Sequence, residues 1–286
     1  MDNWTTRTLL SWITERFTQA EFDSPRLCAE ILLGHVIGGG RMSLYTDADR
    51  PASAQEREKL RDLVKRALAH EPVQYLVGEW SFYGVELKTD ERALIPRPST
   101  ETIIDHVLRS AKERPVGTLV DVCTGSGCIA IAIAKNLPET RVIATDLSVG
   151  ALALAQENIE RHGLGERIEL RQGHLLEPVA GEGPYDAIVS NPPYIPDREW
   201  AEVEPNVKDY EPHLALRAGA DGLDLIRPLL DDLPDQLVPG GLLAIELAAS
   251  HAKDVLRKAD VDDRLDQTQL LQDVEGLDRV LAARKA

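Results

Sequence analysis

Four consecutive residues, Asn191-Pro192-Pro193-Tyr194, have the types and spacing to grip a planar group that carries an NH2. Each proline fixes φ and lacks an N–H, and each holds the residue before it in the extended region. Asn191 and Pro192 therefore form a stiff edge of carbonyl groups with a side-chain amide at its head. The Asn191 side-chain oxygen and the Pro192 backbone carbonyl can each accept one proton of an NH2, and Tyr194 adds a flat face. The apolar run Ala187-Ile188-Val189-Ser190 before it reads as a buried strand. The tetrapeptide then lies at a strand's C-terminal end, where open α/β sheets place their ligands. Taken alone, the same four residues also read as an ordinary turn.

A second stretch, Val120-Asp121-Val122-Cys123-Thr124-Gly125-Ser126-Gly127-Cys128-Ile129-Ala130, joins a strand to a helix. Gly125 and Gly127 let the backbone turn tightly and approach a ligand closely. Asp146 ends the next strand about 20 residues on, where an acid accepts hydrogen bonds from ribose hydroxyls. The spacing Gly125-x-Gly127-x-x-Ala130 also fits the dinucleotide fingerprint. Two features favour S-adenosylmethionine over NAD. Asp121 is placed to take up an amino-acid ammonium, and the Asn-Pro-Pro-Tyr edge has no role in hydride transfer. With a sulfonium donor the difficulty lies in the acceptor, because an amide or aromatic amine nitrogen delocalises its lone pair. Two fixed acceptors at Asn191 and Pro192 would aim that lone pair at the methyl group and stabilise the charge growing on nitrogen.

The elements that must position these residues alternate. Strands are read at 118–123, 141–145, 167–171, 186–190 and 242–247, helices at 126–136, 149–162, 221–236 and 250–258, and two further strands within 264–284. Such alternation predicts a mostly parallel sheet covered on both faces. Residues 195–219 form the longest stretch without clear structure, and long loops in compact domains are often functional. Upstream, Leu9, Leu10, Ile13 and Phe17, then Leu27, Ile31, Leu32 and Val36 up to Gly38-Gly39-Gly40, then Leu60, Leu63, Val64 and Leu68 after Ser53 recur at helical spacing. Tyr75, Val77, Trp80, Phe82, Val85 and Leu87, with Gly78 and Gly84, predict a β-hairpin. Thr100 is placed to cap the helix after it. The expected organisation is a helical bundle over 1–72, a hairpin linker over 73–95 and a Rossmann-like α/β catalytic domain over 96–286.

The 286 residues carry a net charge of −16. The first 70 are balanced, ten acids against ten bases, so the excess falls on the rest. An acidic catalytic half argues against a phosphate backbone as the main partner. Three cysteines with no C-x-x-C, and seven scattered histidines, indicate neither a disulfide framework nor a metal site. No signal peptide is read, and no run of about 18 apolar residues could span a membrane. A cytoplasmic monomer is expected.

Several further blocks stand in a fixed order: Glu71-Pro72-Val73-Gln74-Tyr75-Leu76-Val77-Gly78, Phe82-Tyr83-Gly84, Ile95-Pro96-Arg97-Pro98-Ser99-Thr100-Glu101, Tyr210-Glu211-Pro212 and Asp221-Gly222-Leu223. Together with the loop at Asp121–Gly127 and the Asn-Pro-Pro-Tyr-Ile run, they resemble the HemK/PrmC family of protein-glutamine methyltransferases over nearly the full length. Asn-Pro-Pro-Tyr alone is shared with DNA adenine and rRNA guanine amine methyltransferases; the Glu-Pro-Val-Gln-Tyr and Pro-Arg-Pro-x-Thr-Glu blocks are far more specific. The resemblance implies S-adenosylmethionine as donor. As acceptor it implies the glutamine of the Gly-Gly-Gln loop in class 1 peptide chain release factors, with a helical N-terminal domain contacting the release factor. It assigns the cofactor loop to Cys123, Thr124, Gly125, Ser126 and Gly127, the ribose acid to Asp146, a cofactor contact to Leu175, and the amide-gripping edge to Asn191, Pro192, Pro193 and Tyr194, Asn191 also facing the cofactor. Thr100 and Glu101 would lie near the cofactor's methionine end.

The sequence departs from the family at Cys123, where glycine is common, at His174 and Leu175, where an acid and an aromatic are common, and after Glu246, where Leu247-Ala248 lacks the usual glycine. Cysteine at the first of these also occurs in a sister group that methylates a ribosomal protein's glutamine. The alternatives are therefore that ribosomal acceptor, an exocyclic amine of DNA or RNA, and a non-catalytic adaptor.

Overall fold

The structure, a computed structural model, describes residues 4–286. Two compact units emerge, one formed by the described residues up to Glu79 together with Glu204–Tyr210, the other by Trp80–Val203 and Glu211–Ala286.

The first unit is helical: α1 (Thr6–Gln19), α2 (Pro25–Ile37), α3 (Gly40–Thr46), α4 (Ala54–Leu68) and α5 (Val73–Val77). Its core gathers Leu9, Ile13 and Phe17 of α1, Leu32 and Leu33 of α2 and Leu60 and Val64 of α4. Ser53 begins α4 with a reciprocal cap, its hydroxyl accepting from Glu56 N while the Glu56 carboxylate accepts from Ser53 N. Two expectations are corrected here. The Gly38-Gly39-Gly40 run ends α2 but also starts the short helix α3. The hairpin does not begin at residue 73: Val73–Val77 form a helical turn closed by Gly78 in the left-handed region. Val73 and Leu76 face the helical core, and that burial overrides the strand propensity of Val and Tyr.

The hairpin pairs β1 (Glu79–Phe82) with β2 (Val85–Lys88). Then come α6 (Glu101–Glu113), β3 (Thr118–Val122), α7 (Cys128–Asn136), β4 (Arg141–Asp146), α8 (Val149–Arg161), β5 (Ile168–Gln172) and β6 (Tyr185–Ser190). A short helix, α9 (Pro205–Lys208), is followed by α10 (Ile226–Asp232), β7 (Leu237–Glu246), α11 (Ala252–Asp260), β8 (Leu265–Gln272) and β9 (Asp278–Lys285).

Seven strands form one sheet in the order β5-β4-β3-β6-β7-β9-β8. The first five run parallel; β9 joins β7 antiparallel and β8 closes that edge. Successive residues feed opposite faces. Leu119, Val142, Val189 and Ala244 pack with Ile103, Ile104 and Val107 of α6 and Ile129–Ala134 of α7. Val120, Ile143, Ile188 and Ile245 pack with Ile226 and Leu229 of α10 and Val255 of α11. This is the doubly covered Rossmann-like layering that the alternation predicts. The strand order reverses beside β3, and the C-terminal ends of β3, β4 and β6 open there onto one crevice. Among the described residues no helix is long and apolar enough to cross a membrane.

Candidate active site

The crevice is a cavity of about 360 Å³, within the range of small-molecule sites. Cys123, Thr124, Gly125, Ser126 and Cys128 line it from the turn after β3; Asp146, Leu147 and Ser148 from the end of β4; His174 and Leu175 from after β5; and Asn191 and Pro193 from after β6. Thr100 and, further along, Pro212, Leu214, Ala215, Arg217 and Ala218 also line it, so part of the 195–219 stretch does face the site.

The turn after β3 is left-handed at Cys123 (φ 60°), Gly125 (57°) and Gly127 (80°). The two glycines adopt this freely; Cys123 does so against its Cβ. Gly125 N donates to Asp146 Oδ2 at 2.9 Å and Ser148 N to Asp146 Oδ1 at 2.8 Å. Asp146 thus ties the turn to its own strand end while keeping acceptor capacity for a ligand. Burial raises its carboxyl above the ordinary range.

Asp121 is fully buried and does not line the cavity. Its Oδ2 accepts from the Thr124 hydroxyl at 2.6 Å and from Ala130 N at 3.2 Å. Burial pushes this carboxyl up to about 7. Two polar atoms here are buried without a protein partner, Asp121 Oδ1 and Ser126 Oγ. Such orphans are costly unless a ligand or water satisfies them.

Asn191 and Tyr194 are half-buried, while Pro192 and Pro193 are buried. Asn191 Nδ2 donates to Thr100 Oγ1 at 3.1 Å, which leaves its Oδ1 to accept. Thr100 makes no cap hydrogen bond to α6; its hydroxyl is spent on Asn191, which corrects the expected capping role. Pro192 and Tyr194 do not line the cavity. Tyr194 packs against the core on the α10–α11 face, and burial and the nearby Glu246 raise its phenol. The edge therefore stands half in the cavity and half in the core.

The flanking blocks are joined to one another by long-range contacts. Arg97 pairs with the Glu211 carboxylate, whose Oε2 also accepts from Ile95 N at 3.0 Å. Glu101 Oε1 accepts from Tyr83 N at 3.0 Å. Gly222 (φ 80°) lies where a Cβ would overlap the Tyr194 carbonyl oxygen. Sequence reasoning gave no role to Glu211, Gly222 or Glu246; their partners lie too far along the chain for spacing to reveal them. Among the described residues no cluster of His, Cys, Asp or Glu could hold a metal ion.

Residues 8–78 match the family model of the PrmC N-terminal domain and residues 99–206 that of the methyltransferase small domain. A release factor glutamine methyltransferase of Rhodopirellula baltica is 40% identical over 287 residues, covering 99% of this chain and 97% of the relative. The chain belongs to the release factor glutamine methyltransferase family. A second member, from Chlorobaculum tepidum, is also 40% identical, covering 98% of this chain and 97% of its own. A methyltransferase from Pyrococcus furiosus shares the fold at 19% identity, with a TM-score of 0.51 over 80% of this chain and 98% of that one. Membership in the family accounts for the two-unit sequence and for a Rossmann-like methyltransferase sheet.

Proposed function

We propose that this protein transfers a methyl group from S-adenosylmethionine to the side-chain amide nitrogen of the glutamine in the Gly-Gly-Gln loop of class 1 release factors. The observation that carries this reading is the Asn191 amide, standing in the cavity wall with Nδ2 bound to Thr100 and Oδ1 left to accept. A glutamine side chain offers two N–H donors and matches that acceptor; a hydroxyl or thiol acceptor would not need it.

The residues present fit the donor. The turn Cys123–Gly127 gives close backbone approach, Asp146 has remaining lone pairs for ribose hydroxyls, Leu175 and His174 line the wall for the base, and the orphaned Ser126 Oγ belongs to the same turn. When bound, S-adenosylmethionine supplies an electrophilic methyl group on a sulfonium. The chain's part is to position the acceptor. Asn191 Oδ1 takes one amide proton in the cavity wall and the Pro192 carbonyl, next along the same edge but outside that wall, is assigned the other, so the nitrogen lone pair is free to face the cavity. Those two oriented dipoles stabilise the positive charge that develops on nitrogen. The N-terminal helical unit serves to bind the release factor.

The test is direct. The purified protein is incubated with S-adenosylmethionine and an unmodified class 1 release factor, and the peptide holding Gly-Gly-Gln is weighed by mass spectrometry. One added methyl on the glutamine is expected for the wild type and none for Asn191→Ala. No methyl from the wild type, with cofactor binding shown by calorimetry, would move the acceptor to a ribosomal protein.

A further inference from the structure

Cys123 (φ 60°) and Leu175 (φ 47°) line the cavity in the left-handed conformation without being glycine. A Cβ makes that conformation costly, and it persists only where the surroundings over-determine it. A bare turn would take glycine there at less cost. Leu175 is instead buried, packed on the sheet face of Ile143, Ile188 and Ile245.

Both sites lead to Thr145, the last residue but one of β4. Its carbonyl accepts from Thr124 N at 2.9 Å, one residue past Cys123. Its hydroxyl donates to the Leu175 carbonyl at 3.2 Å. Thr145 is buried and shares a face of the sheet with Ile143, the face on which Leu175 packs. Asp146, next in the strand, accepts through its carbonyl from Gly173 N at 3.1 Å. The turn after β5 is thus fastened to the end of β4 by both bonds, and the Thr145 hydroxyl supplies the one made by a side chain.

That bond decides where Leu175 stands. A buried carbonyl must find a donor, and here the donor is the Thr145 hydroxyl. Without it the strained peptide is free to relax toward right-handed or extended backbone, and the leucine side chain leaves the cavity wall.

We infer that Thr145 is a positioning residue for the cofactor. Its hydroxyl holds Leu175 left-handed, and Leu175 so held forms the apolar wall for the adenine of S-adenosylmethionine. This rests on the reading of the cavity as the S-adenosylmethionine site. A wall fixed before the ligand arrives has little freedom left to lose on binding. Asp146, the acceptor assigned to ribose, is the next residue, so base wall and ribose acceptor are both set by one strand end.

Calorimetry with S-adenosylmethionine and no acceptor compares wild type with Thr145→Val, Thr145→Ser, Leu175→Ala and the Thr145→Val/Leu175→Ala double variant. Valine keeps the side-chain shape and the backbone bond to Thr124 N but leaves the Leu175 carbonyl without its donor. The Kd of Thr145→Val should rise about 10-fold, the equivalent of one lost buried hydrogen bond. Thr145→Ser restores the donor and should stay within about threefold of wild type. The double variant should bind no more weakly than the weaker single. 5′-Methylthioadenosine, which keeps the adenosine and lacks the amino-acid end, should lose affinity by the same factor. The kcat at saturating S-adenosylmethionine should change by less than about threefold, because the Asn191 edge is untouched. A role in the fold alone would lower Tm and leave the Kd in place.

A Kd for Thr145→Val within about twofold of wild type, or additive losses in the double variant, would overturn the assignment. If wild type itself bound no S-adenosylmethionine, the failure would belong to the reading of the cavity instead. Should Thr145→Val not fold, Thr145→Ala is judged by the same two criteria.

Discussion

Asn191 and Thr100, 91 residues apart, share a 3.1 Å hydrogen bond in which the amide donates and the hydroxyl accepts. The head of the Asn-Pro-Pro-Tyr edge is thereby tied to the block Ile95-Pro96-Arg97-Pro98-Ser99-Thr100-Glu101. Two stiff proline segments hold the amide from both sides. An acceptor oxygen so held needs little reorganisation when charge develops beside it.

Asn191→Asp should separate holding the acceptor from holding the cofactor. The carboxylate cannot donate to Thr100, and it brings a second negative charge beside buried Glu246. Turnover should fall at least ~100-fold, as for loss of one oriented dipole at a reacting centre. Cofactor affinity should hold or tighten, since a carboxylate replaces a neutral amide near a cation. Steady-state rates with calorimetry check this; a rate within tenfold of wild type would rule the role out.

Asp146→Ala should act on the cofactor instead. It removes the acceptor for both Gly125 N and Ser148 N and leaves the turn after β3 unanchored. A 10- to 100-fold rise in the S-adenosylmethionine Kd is expected, ~1.4 to 2.8 kcal/mol. Asp146→Asn should lose less, because its amide oxygen keeps one of the two bonds. Calorimetry with S-adenosylmethionine alone measures both; unchanged affinity in the alanine variant would remove Asp146 from the cofactor site.

The sheet was legible because buried parallel strands are continuous apolar runs, and helices alternate with them at clear spacing. Segment 73–77 was not, since Val73, Tyr75 and Val77 carry strand propensity that burial against the helical core overrides. The short α3 hides behind three glycines that signal a stop. The cofactor turn could be read from Gly125, Gly127 and Asp146, all local signals. Glu246 could not. A lone acid at a strand end looks alike whether solvated or buried, and its partner Ser99 stands 147 residues upstream. The Arg97–Glu211 pair, 114 residues apart, is hidden for the same reason.

Stability should carry the mark of the buried acids. Burial pushes the Asp121 carboxyl up to about 7. The folded chain then holds a proton that the unfolded chain releases in the ordinary aspartate range, so stability falls as pH rises across that interval. At ~1.4 kcal/mol per unit the effect is a few kcal/mol at most. Glu56 and Asp262, held to about 2 by Arg50 and Arg264, contribute fully above the ordinary carboxylate range and do not offset the loss. His35, His106 and His251, whose imidazoles burial pulls down, act in the opposite sense up to their ordinary range. The measurement is therefore the difference in Tm between wild type and Asp121→Asn, followed from pH 5 to pH 8. The neutral variant should gain on the wild type as pH rises; parallel curves would mean that Asp121 is not the group responsible.

Gly222 offers a test of how tightly the edge is held. Its φ of 80° is strained for any residue with a Cβ, and that Cβ would overlap the Tyr194 carbonyl oxygen and press on Pro196 Cγ at 3.1 Å. Gly163 has a similar φ of 64° with nothing within 4 Å of the added atom. Both Gly→Ala changes share the backbone strain, about 1 kcal/mol, so both should lower Tm by a few degrees. Only Gly222→Ala should also displace the residue that follows Pro193 in the edge. Its kcat should fall ~10-fold or more with the cofactor Kd little changed, because small displacements at a positioned acceptor cost rate rather than donor binding. Gly163→Ala should keep its rate. Equal activity in the two variants would show that the edge tolerates movement at Tyr194, and that the Asp221-Gly222-Leu223 block serves the fold alone.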